Sequence, residues 1–181
     1  MGRLAHKHLM LKKEVKAIID RKLQIFKQQK ILGVHIRGTD HFTEIEQIPI
    51  PKFLKLIEKK RKAFNKIFLA TDDENILHAV LDKFGEENIL YHQATRSAKE
   101  VAVHTPINLQ NRYQLGLEAL IDCYALANCA EAIMVHSNLS YTALILNPDL
   151  PYTLMETRKS AMKRIKTNLL YTLDRWGIRT L

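Results

Sequence analysis

Short apolar runs alternate along the chain with longer segments in which apolar residues recur every three or four positions. The short runs predict strands, because a strand buried on both faces is almost continuously apolar. They cover residues 31–36, 66–71, 88–91, 132–135 and 152–155. The longer spacing predicts helices with one buried face. It covers residues 10–29, 51–64, 74–84, 111–128 and a segment from the turn at 136–140 to near Pro148.

Strands that alternate with helices predict βαβ units and therefore a parallel sheet. We expect an α/β fold with a single doubly wound parallel sheet of about five or six strands. The chain has 181 residues, 46% of them hydrophobic, which suits one domain with a buried core. We expect an N-terminal helix in residues 1–30, a domain over residues 31–156 and a basic, partly helical tail over residues 157–181.

The formal net charge of +9 favours anionic partners. Seven of the basic residues lie between positions 52 and 66, where they fit the solvated face of an amphipathic helix. Nucleic acid is one candidate partner. It is not expected, because aromatic residues do not interleave the basic run as stacking platforms and charge alone supports it.

Several features predict a cytoplasmic protein. The chain has no apolar stretch long enough to span a membrane. Its N-terminus lacks the apolar segment and cleavage site of a signal peptide. Cys123 and Cys129 fall in one predicted helix, where they would project about 120° apart, so they predict buried thiols rather than a disulfide.

The most informative segment is GVHIRGTD at residues 33–40. It predicts a buried strand that ends in His35, Arg37 and Asp40. In open parallel sheets this carboxyl end is where ligands bind. Arg37 carries a permanent charge and a planar fork of donors suited to phosphate oxygens. A structural ion-pair network is the alternative interpretation.

Other polar residues are expected at the same sheet edge. Asp72 and Asp73 follow the second strand and could cap the next helix or bind a divalent cation. Ser137, Asn138 and Ser140 open a helix after the fourth strand. There they could cap the helix, bind an anion, or do both.

Asp122 lies in an otherwise apolar stretch of a predicted helix and needs a hydrogen-bonding partner. That partner could be a protein donor or the N–H edge of a guanine base. His8, His78 and His92 are expected on the surface. No pair of histidines or cysteines has metal-ligand spacing, so no metal site and no cofactor are predicted.

Together these segments resemble the GDP-fucose-dependent fucosyltransferases, in particular the α1,6 and nodulation types. The resemblance rests on GVHIRGTD at 33–40, FLATDD at 68–73, NRY at 111–113, and Asp122 with SNLS at 137–140. It implies the C-terminal, donor-binding half of a GT-B glycosyltransferase, which has two Rossmann-like domains. The donor would be a GDP-sugar and the acceptor a glycan.

The resemblance also implies roles for individual residues. Arg37 matches the family's diphosphate-neutralising arginine and His35 a histidine near the phosphates. Asp122 matches the guanine-reading carboxylate and Ser137 the phosphate-binding serine. The full donor-binding set expected here is His35, Arg37, Asp40, Asp72, Asp73, Asp122, Ser137, Asn138 and Ser140.

The implied reaction is an inverting displacement, in which a carboxylate takes the proton of the acceptor hydroxyl. Thr43-Glu44 resembles the family's Thr-Glu pair, but the loop is one residue shorter, so Glu44 and Glu46 are both candidate bases. Arg37 is also expected to act in catalysis, by stabilising the leaving diphosphate. No metal is expected.

The chain departs from the family pattern in two ways. Gly38 stands where the α1,6 and nodulation enzymes have arginine, so one cation is missing. The chain also begins one helix before the strand-end motif, without the N-terminal acceptor domain. It is therefore expected to be a piece of a longer enzyme or a short relative that binds a nucleotide sugar without transferring it.

Overall fold

Five parallel strands form one sheet in the order β3-β2-β1-β4-β5. In this computed structural model, the described residues are 10–38, 48–94, 96 and 112–175. The strands are β1 (Ile31–Ile36), β2 (Lys66–Thr71), β3 (Ile89–Leu90), β4 (Glu131–Val135) and β5 (Tyr152–Met155). The predicted α/β class, with one doubly wound parallel sheet, is confirmed.

Helices connect the strands and cover both faces of the sheet. They are α1 (Lys13–Lys22), α2 (Gln24–Gln28), α3 (Ile50–Lys60), α4 (Glu74–Phe84), α5 (Arg112–Ala127), α6 (Asn138–Leu146) and α7 (Arg158–Arg175). Single 3₁₀ turns follow α3 at Arg61–Ala63 and α4 at Glu86–Asn88. Among the described residues, no helix is both long enough and apolar enough to cross a membrane.

Two predicted segments differ in detail from the structure. The helix expected over residues 10–29 is divided at Leu23 into α1 and α2. The division lets Leu23 enter the core and brings the ring of Phe26 to 5.4 Å from that of Phe68 on β2. The partly helical tail forms the 18-residue helix α7.

Alternate residues of β1 point into two separate cores, as the two-residue period of a strand requires. Leu32, Val34 and Ile36 pack with α3 and α4 on one face. Ile31 packs on the other face with residues of α1, α5 and α6. His35 shares the parity of Ile31, so its side chain points toward α5 and α6. All six residues of β1 are buried.

Gly33 allows the end of α5 to approach the central strand. A Cβ atom at position 33 would lie 2.9 Å from Cys129 Sγ and 3.0 Å from Leu126 Cδ2. Both neighbours are buried in the core, so neither can move away freely. Cys129 lies just past the end of α5 rather than inside it, and both Cys123 and Cys129 are buried free thiols.

We predict that Gly33→Ala lowers the free energy of unfolding by about 1–3 kcal/mol, because the added methyl group overpacks the core. Gly116→Ala is the matched control. At position 116, inside α5, an added methyl group would meet no atom within 4 Å beyond the helix's own backbone, so the same change should stabilise by about 0.5–1 kcal/mol. Urea denaturation measures both. Equal stability of the two variants would contradict the packing described here.

Candidate functional site

The polar residues meet where the strand order reverses. The chain runs outward from β1 to β2 and β3, and then returns to place β4 on the other side of β1. In sheets of this type, the crevice outside the carboxyl ends of the strands at this reversal is the usual ligand site. Arg37 follows β1 and Ser137 follows β4, so both lie at that crevice.

A buried hydrogen-bond cluster fixes the end of β1 to the start of α6. Nδ1 of His35 lies 2.8 Å from Ser140 Oγ and 3.4 Å from Ser137 Oγ. Ser137 is also the N-cap of α6, since its Oγ accepts a hydrogen bond from the backbone N–H of Ser140 at 3.1 Å. All three side chains are buried. The N-terminal end of α6 is therefore held in a fixed position relative to β1.

His35 is uncharged at neutral pH. Its pKa is lowered from 6.5 to about 4, chiefly by burial; the charge of Asp72 opposes this shift, and the charge of Arg37 adds to it. A neutral imidazole can hold Ser140 but adds no positive charge to the crevice. Its expected place near a phosphate stays a prediction.

The two aspartates after β2 have different structural roles. Asp73 is the N-cap of α4, where its Oδ1 accepts hydrogen bonds from the backbone N–H groups of Asn75 at 2.8 Å and Ile76 at 3.3 Å. Asp72 Oδ1 accepts a 2.8 Å hydrogen bond from the backbone N–H of Gly38. The sequence left helix capping and cation binding open for this pair, and Asp73 is a helix cap. No cluster of three or more potential metal ligands occurs within the described ranges.

Gly38 leaves no room for a side chain. A Cβ atom at this position would lie 2.3 Å from Cβ of Asp73 and 2.5 Å from its Oδ2. Asp73 is held by its capping bonds to α4, so it cannot easily move. The hydrogen bond from Gly38 to Asp72 fixes the same turn from the other side. The turn after Arg37 therefore requires glycine.

Arg37 lies between two cavities. The larger, of about 580 Å³, is lined by Arg37, Ser137 and Asn138 together with residues of α7. The smaller, of about 120 Å³, is lined by Arg37, His35, Asp72 and Asp122, among others. The structure thus brings the residues predicted from separate strand ends to one place. Arg37 and Ser137 line the same cavity.

Asp122 has a protein partner that the sequence did not reveal. Its Oδ1 lies 2.8 Å from Nδ1 of His92, and the two side chains are only 13% and 12% exposed. An ionised carboxylate can only accept, so the Nδ1–H group of His92 is the donor. The expectation that His92 lies on the surface was wrong. It packs against Phe68, with 5.2 Å between the ring centres.

Arg96 was also missed by sequence reasoning. Its guanidinium donates to the backbone oxygen of Thr71 at 3.2 Å and to that of His92. Its charge also lies over the ring of Tyr91, at 5.5 Å from the centroid. Arg96 therefore joins the carboxyl ends of β2 and β3. Nothing in the surrounding irregular sequence indicated this role.

A second ionic cluster lies on the α7 side of the larger cavity. Glu156, directly after β5, accepts hydrogen bonds from Arg164 at 2.7 and 3.2 Å and lies 3.2 Å from His136 Nε2. The bonds from Arg164, and then that from His136, lower the pKa of Glu156 to about 2. The rule that polar residues gather at strand ends could have found Glu156. Arg164 gave no such signal.

Some predicted residues lie outside the described part of the chain. They are Asp40 and the two candidate bases, Glu44 and Glu46. Asn111 of the NRY segment and most of the irregular segment from 93 to 110 also lie outside it. The expected roles of these residues stay predictions.

Solved structures of the NodZ α-1,6-fucosyltransferase resemble the chain at 26% sequence identity. The structure soaked with GDP-fucose matches with a TM-score of 0.54 over 83% of this chain and 46% of that one. The structure co-crystallised with GDP matches with a TM-score of 0.52 over 76% and 43%. The enzyme from Bradyrhizobium matches with a TM-score of 0.52 over 81% and 46%.

These matches confirm, at the level of the fold, the resemblance to GDP-fucose fucosyltransferases. The single parallel sheet is Rossmann-like. The chain spans less than half the length of the NodZ structures. No protein-family model matches the sequence, and none of the curated proteins matches it.

We predict that His35 makes stability depend on pH between about 6.5 and 4. In this range the unfolded chain binds a proton at His35 and the folded chain does not, so stability falls as the pH falls. The contribution of His35 to the slope should approach about 1.4 kcal/mol per pH unit and vanish above pH 6.5. Denaturation of the native chain and of His35→Gln across this range measures the effect.

The variant should be less stable at pH 7, and its disadvantage should shrink toward pH 4. His78→Gln is the control, because His78 lies on α4 with 64% of its side chain exposed. It should retain the slope that His35 contributes. The same slope in the native chain and in His35→Gln would show that His35 is not buried in its neutral form.

Proposed function

We propose that this chain is the GDP-sugar-binding domain of a fucosyltransferase-type glycosyltransferase, with GDP-fucose the expected donor. The fold it shares with the NodZ structures supports the proposal. Its polar residues also lie together where the strand order of the sheet reverses, which supports it further. The observation that carries it is the position of Arg37, which lines both the cavity of Asp122 and the cavity of Ser137. One ligand could therefore extend from one cavity to the other across this guanidinium.

In this proposal the guanine base binds in the smaller cavity. Guanine presents two adjacent N–H donors, and a carboxylate can accept both. Asp122 supplies the carboxylate, and its bond to His92 restricts the orientation of the group. Adenine and uracil lack that pair of donors on one edge. Binding should therefore favour GDP over ADP and UDP.

The diphosphate binds between Arg37 and the N-terminal end of α6. The guanidinium supplies a full positive charge with donors matched to phosphate oxygens. The helix end adds about half a positive charge and free backbone N–H groups. The cluster of His35 and Ser140 holds this helix end in place beside β1. Asn138, in the first turn of α6, lines the same cavity and offers amide donors.

The reaction is an inverting sugar transfer. A carboxylate removes the proton of the acceptor hydroxyl, the hydroxyl oxygen bonds to the anomeric carbon, and the bond from that carbon to the diphosphate oxygen breaks. Negative charge then grows on the departing diphosphate, where Arg37 and α6 can stabilise it. Glu44 and Glu46 are the proposed bases. The acceptor is proposed to be a glycan.

A nucleotide-sugar-binding module without transfer activity is the second candidate. The observation that favours it is that the described residues at the two cavities, Arg37, Asp122 and Ser137, are all assigned to binding the donor. Release of GDP from GDP-fucose in the presence of glycan acceptors separates the two candidates. An enzyme should lose this activity in Glu44→Gln or Glu46→Gln, whereas a binding module should show no transfer in any variant.

We predict that calorimetric titration gives tighter binding of GDP than of ADP or UDP. Arg37→Met should weaken GDP binding by about 1.5–3 kcal/mol, the contribution of a hydrogen bond to a charged group. Asp122→Asn should reduce the preference for GDP over ADP, because the amide offers one donor where the carboxylate only accepts. Arg21→Met and Asp149→Asn are matched controls at exposed positions and should bind GDP like the native chain.

Two results would contradict the proposed site. One is equal affinity for the three nucleotides in the native chain. The other is unchanged GDP binding in Arg37→Met. Salt-dependent binding of oligonucleotides that is indifferent to Arg37 would instead support a nucleic-acid-binding protein.

A further inference from the structure

We propose that Lys163 of α7 is the second cation of the donor site and contacts the diphosphate opposite Arg37. This inference rests on the proposed function and extends it to a helix that the sequence indicated only as a basic tail. It assigns a binding role to one residue of that helix. Four observations support it.

The first observation is that α7 lines the larger cavity with one face. Its cavity-lining residues recur every three or four positions, as one face of a helix requires. They are Ser160, Lys163, Arg164, Thr167 and Asn168. The other wall includes Arg37, Ser137 and Asn138. The volume, about 580 Å³, is within the range of small-molecule sites. A ligand bound to Arg37 in this cavity would therefore also lie near the basic residues of α7.

The second observation concerns charge. A terminal phosphate alone carries about −1.5 to −2 charges near pH 7, so a departing nucleoside diphosphate carries roughly −3. Arg37 supplies +1 and the end of α6 supplies about +0.5. His35 is neutral, because burial lowers its pKa to about 4. The residues next to β1 and β4 thus leave more than one negative charge uncompensated.

The third observation is that position 38 cannot supply the missing charge. A Cβ atom there would lie 2.3 Å from Cβ of Asp73, which is fixed as the cap of α4. Any cationic side chain begins with this atom. A side chain at position 38 would therefore displace Asp73. In this packing, a second cation for the diphosphate would come from another element.

The fourth observation separates Lys163 from its neighbour Arg164. Two hydrogen bonds tie Arg164 to Glu156, so its charge is already balanced. Lys163 is exposed and makes no ion pair with any described residue. A lysine ammonium on a flexible stem can move to a phosphate as a point charge. Lys163 is thus the available cation on this wall.

The bonds of Arg164 also keep Lys163 at the cavity. Glu156 accepts hydrogen bonds from Arg164 of α7. It also lies 3.2 Å from Nε2 of His136, which follows β4. This connection fixes the first turns of α7 beside the carboxyl end of β4. The backbone of residue 163 therefore stays near the α6 end of the site while its side chain remains free to move.

Titration of the full chain with GDP and with guanosine tests the inference. Lys163→Met should weaken GDP binding about tenfold and leave guanosine binding unchanged, because guanosine has no phosphate. Lys163→Arg should restore most of the GDP affinity, since it restores the charge. Lys166→Met is the matched control, because it removes the same charge from an exposed position on α7 that does not line the cavity.

The outcomes distinguish this inference from the proposed function. If GDP binds selectively and depends on Arg37, but Lys163→Met binds GDP as Lys166→Met does, Lys163 has no role and the donor site still stands. If the native chain shows no preference for GDP, or Arg37→Met changes nothing, both are wrong. An equal loss for GDP and guanosine in Lys163→Met would also overturn the inference, because the effect would not depend on phosphate.

Discussion

The hydrogen bond between His35 and Ser140 links the two halves of the sheet at the point where the strand order reverses. His35 lies near the end of β1 and Ser140 lies in the first turn of α6, 105 positions later in the chain. β1 and β4 already pair directly, and this link further fixes the N-terminal end of α6 relative to Arg37. The link depends on burial, because burial keeps the imidazole neutral and so compatible with an apolar environment. In the proposed donor site, this link helps to hold Arg37 and the N-terminal end of α6 at one cavity.

In the proposed donor site, the positive charge comes from residues outside this buried link. Arg37 is partly exposed and lines both cavities, and the exposed Lys163 also lines the larger one. This division is physically reasonable, since a buried ion without a partner costs several kcal/mol. The buried residues His35, Ser137 and Ser140 are neutral and hold the elements in place, whereas the more exposed Arg37 and Lys163 carry the charge. Gly38 enforces the division, because the turn it forms excludes a second cation beside Arg37.

Much of this arrangement could be predicted from the sequence. Apolar runs indicated all five strands, and polar residues after them indicated the edge of the sheet where the site lies. These predictions succeed because local periodicity and strand direction determine which residues share a face or an edge. Ser137 and Asp73 could be predicted as helix caps for the same local reason.

The missed features all depend on contacts between distant parts of the chain. His92 follows β3 and Asp122 lies in α5, 30 positions later, and only the tertiary fold brings them together. The sequence indicated Lys163 only as one residue of a basic tail, because a helix period does not reveal which face of α7 lines the cavity. The break at Leu23 likewise follows from its place in the core. Local pattern predicts the elements, but tertiary packing determines their side-chain pairs.

The most direct test of the central claim is a crystal structure of this chain with GDP bound. The account predicts that oxygens of the diphosphate lie about 2.7–3.2 Å from both the guanidinium of Arg37 and a backbone N–H group in the first turn of α6. The guanine should then contact Asp122. A diphosphate that contacts only one of Arg37 and α6, or neither, would contradict the claim that they form one site.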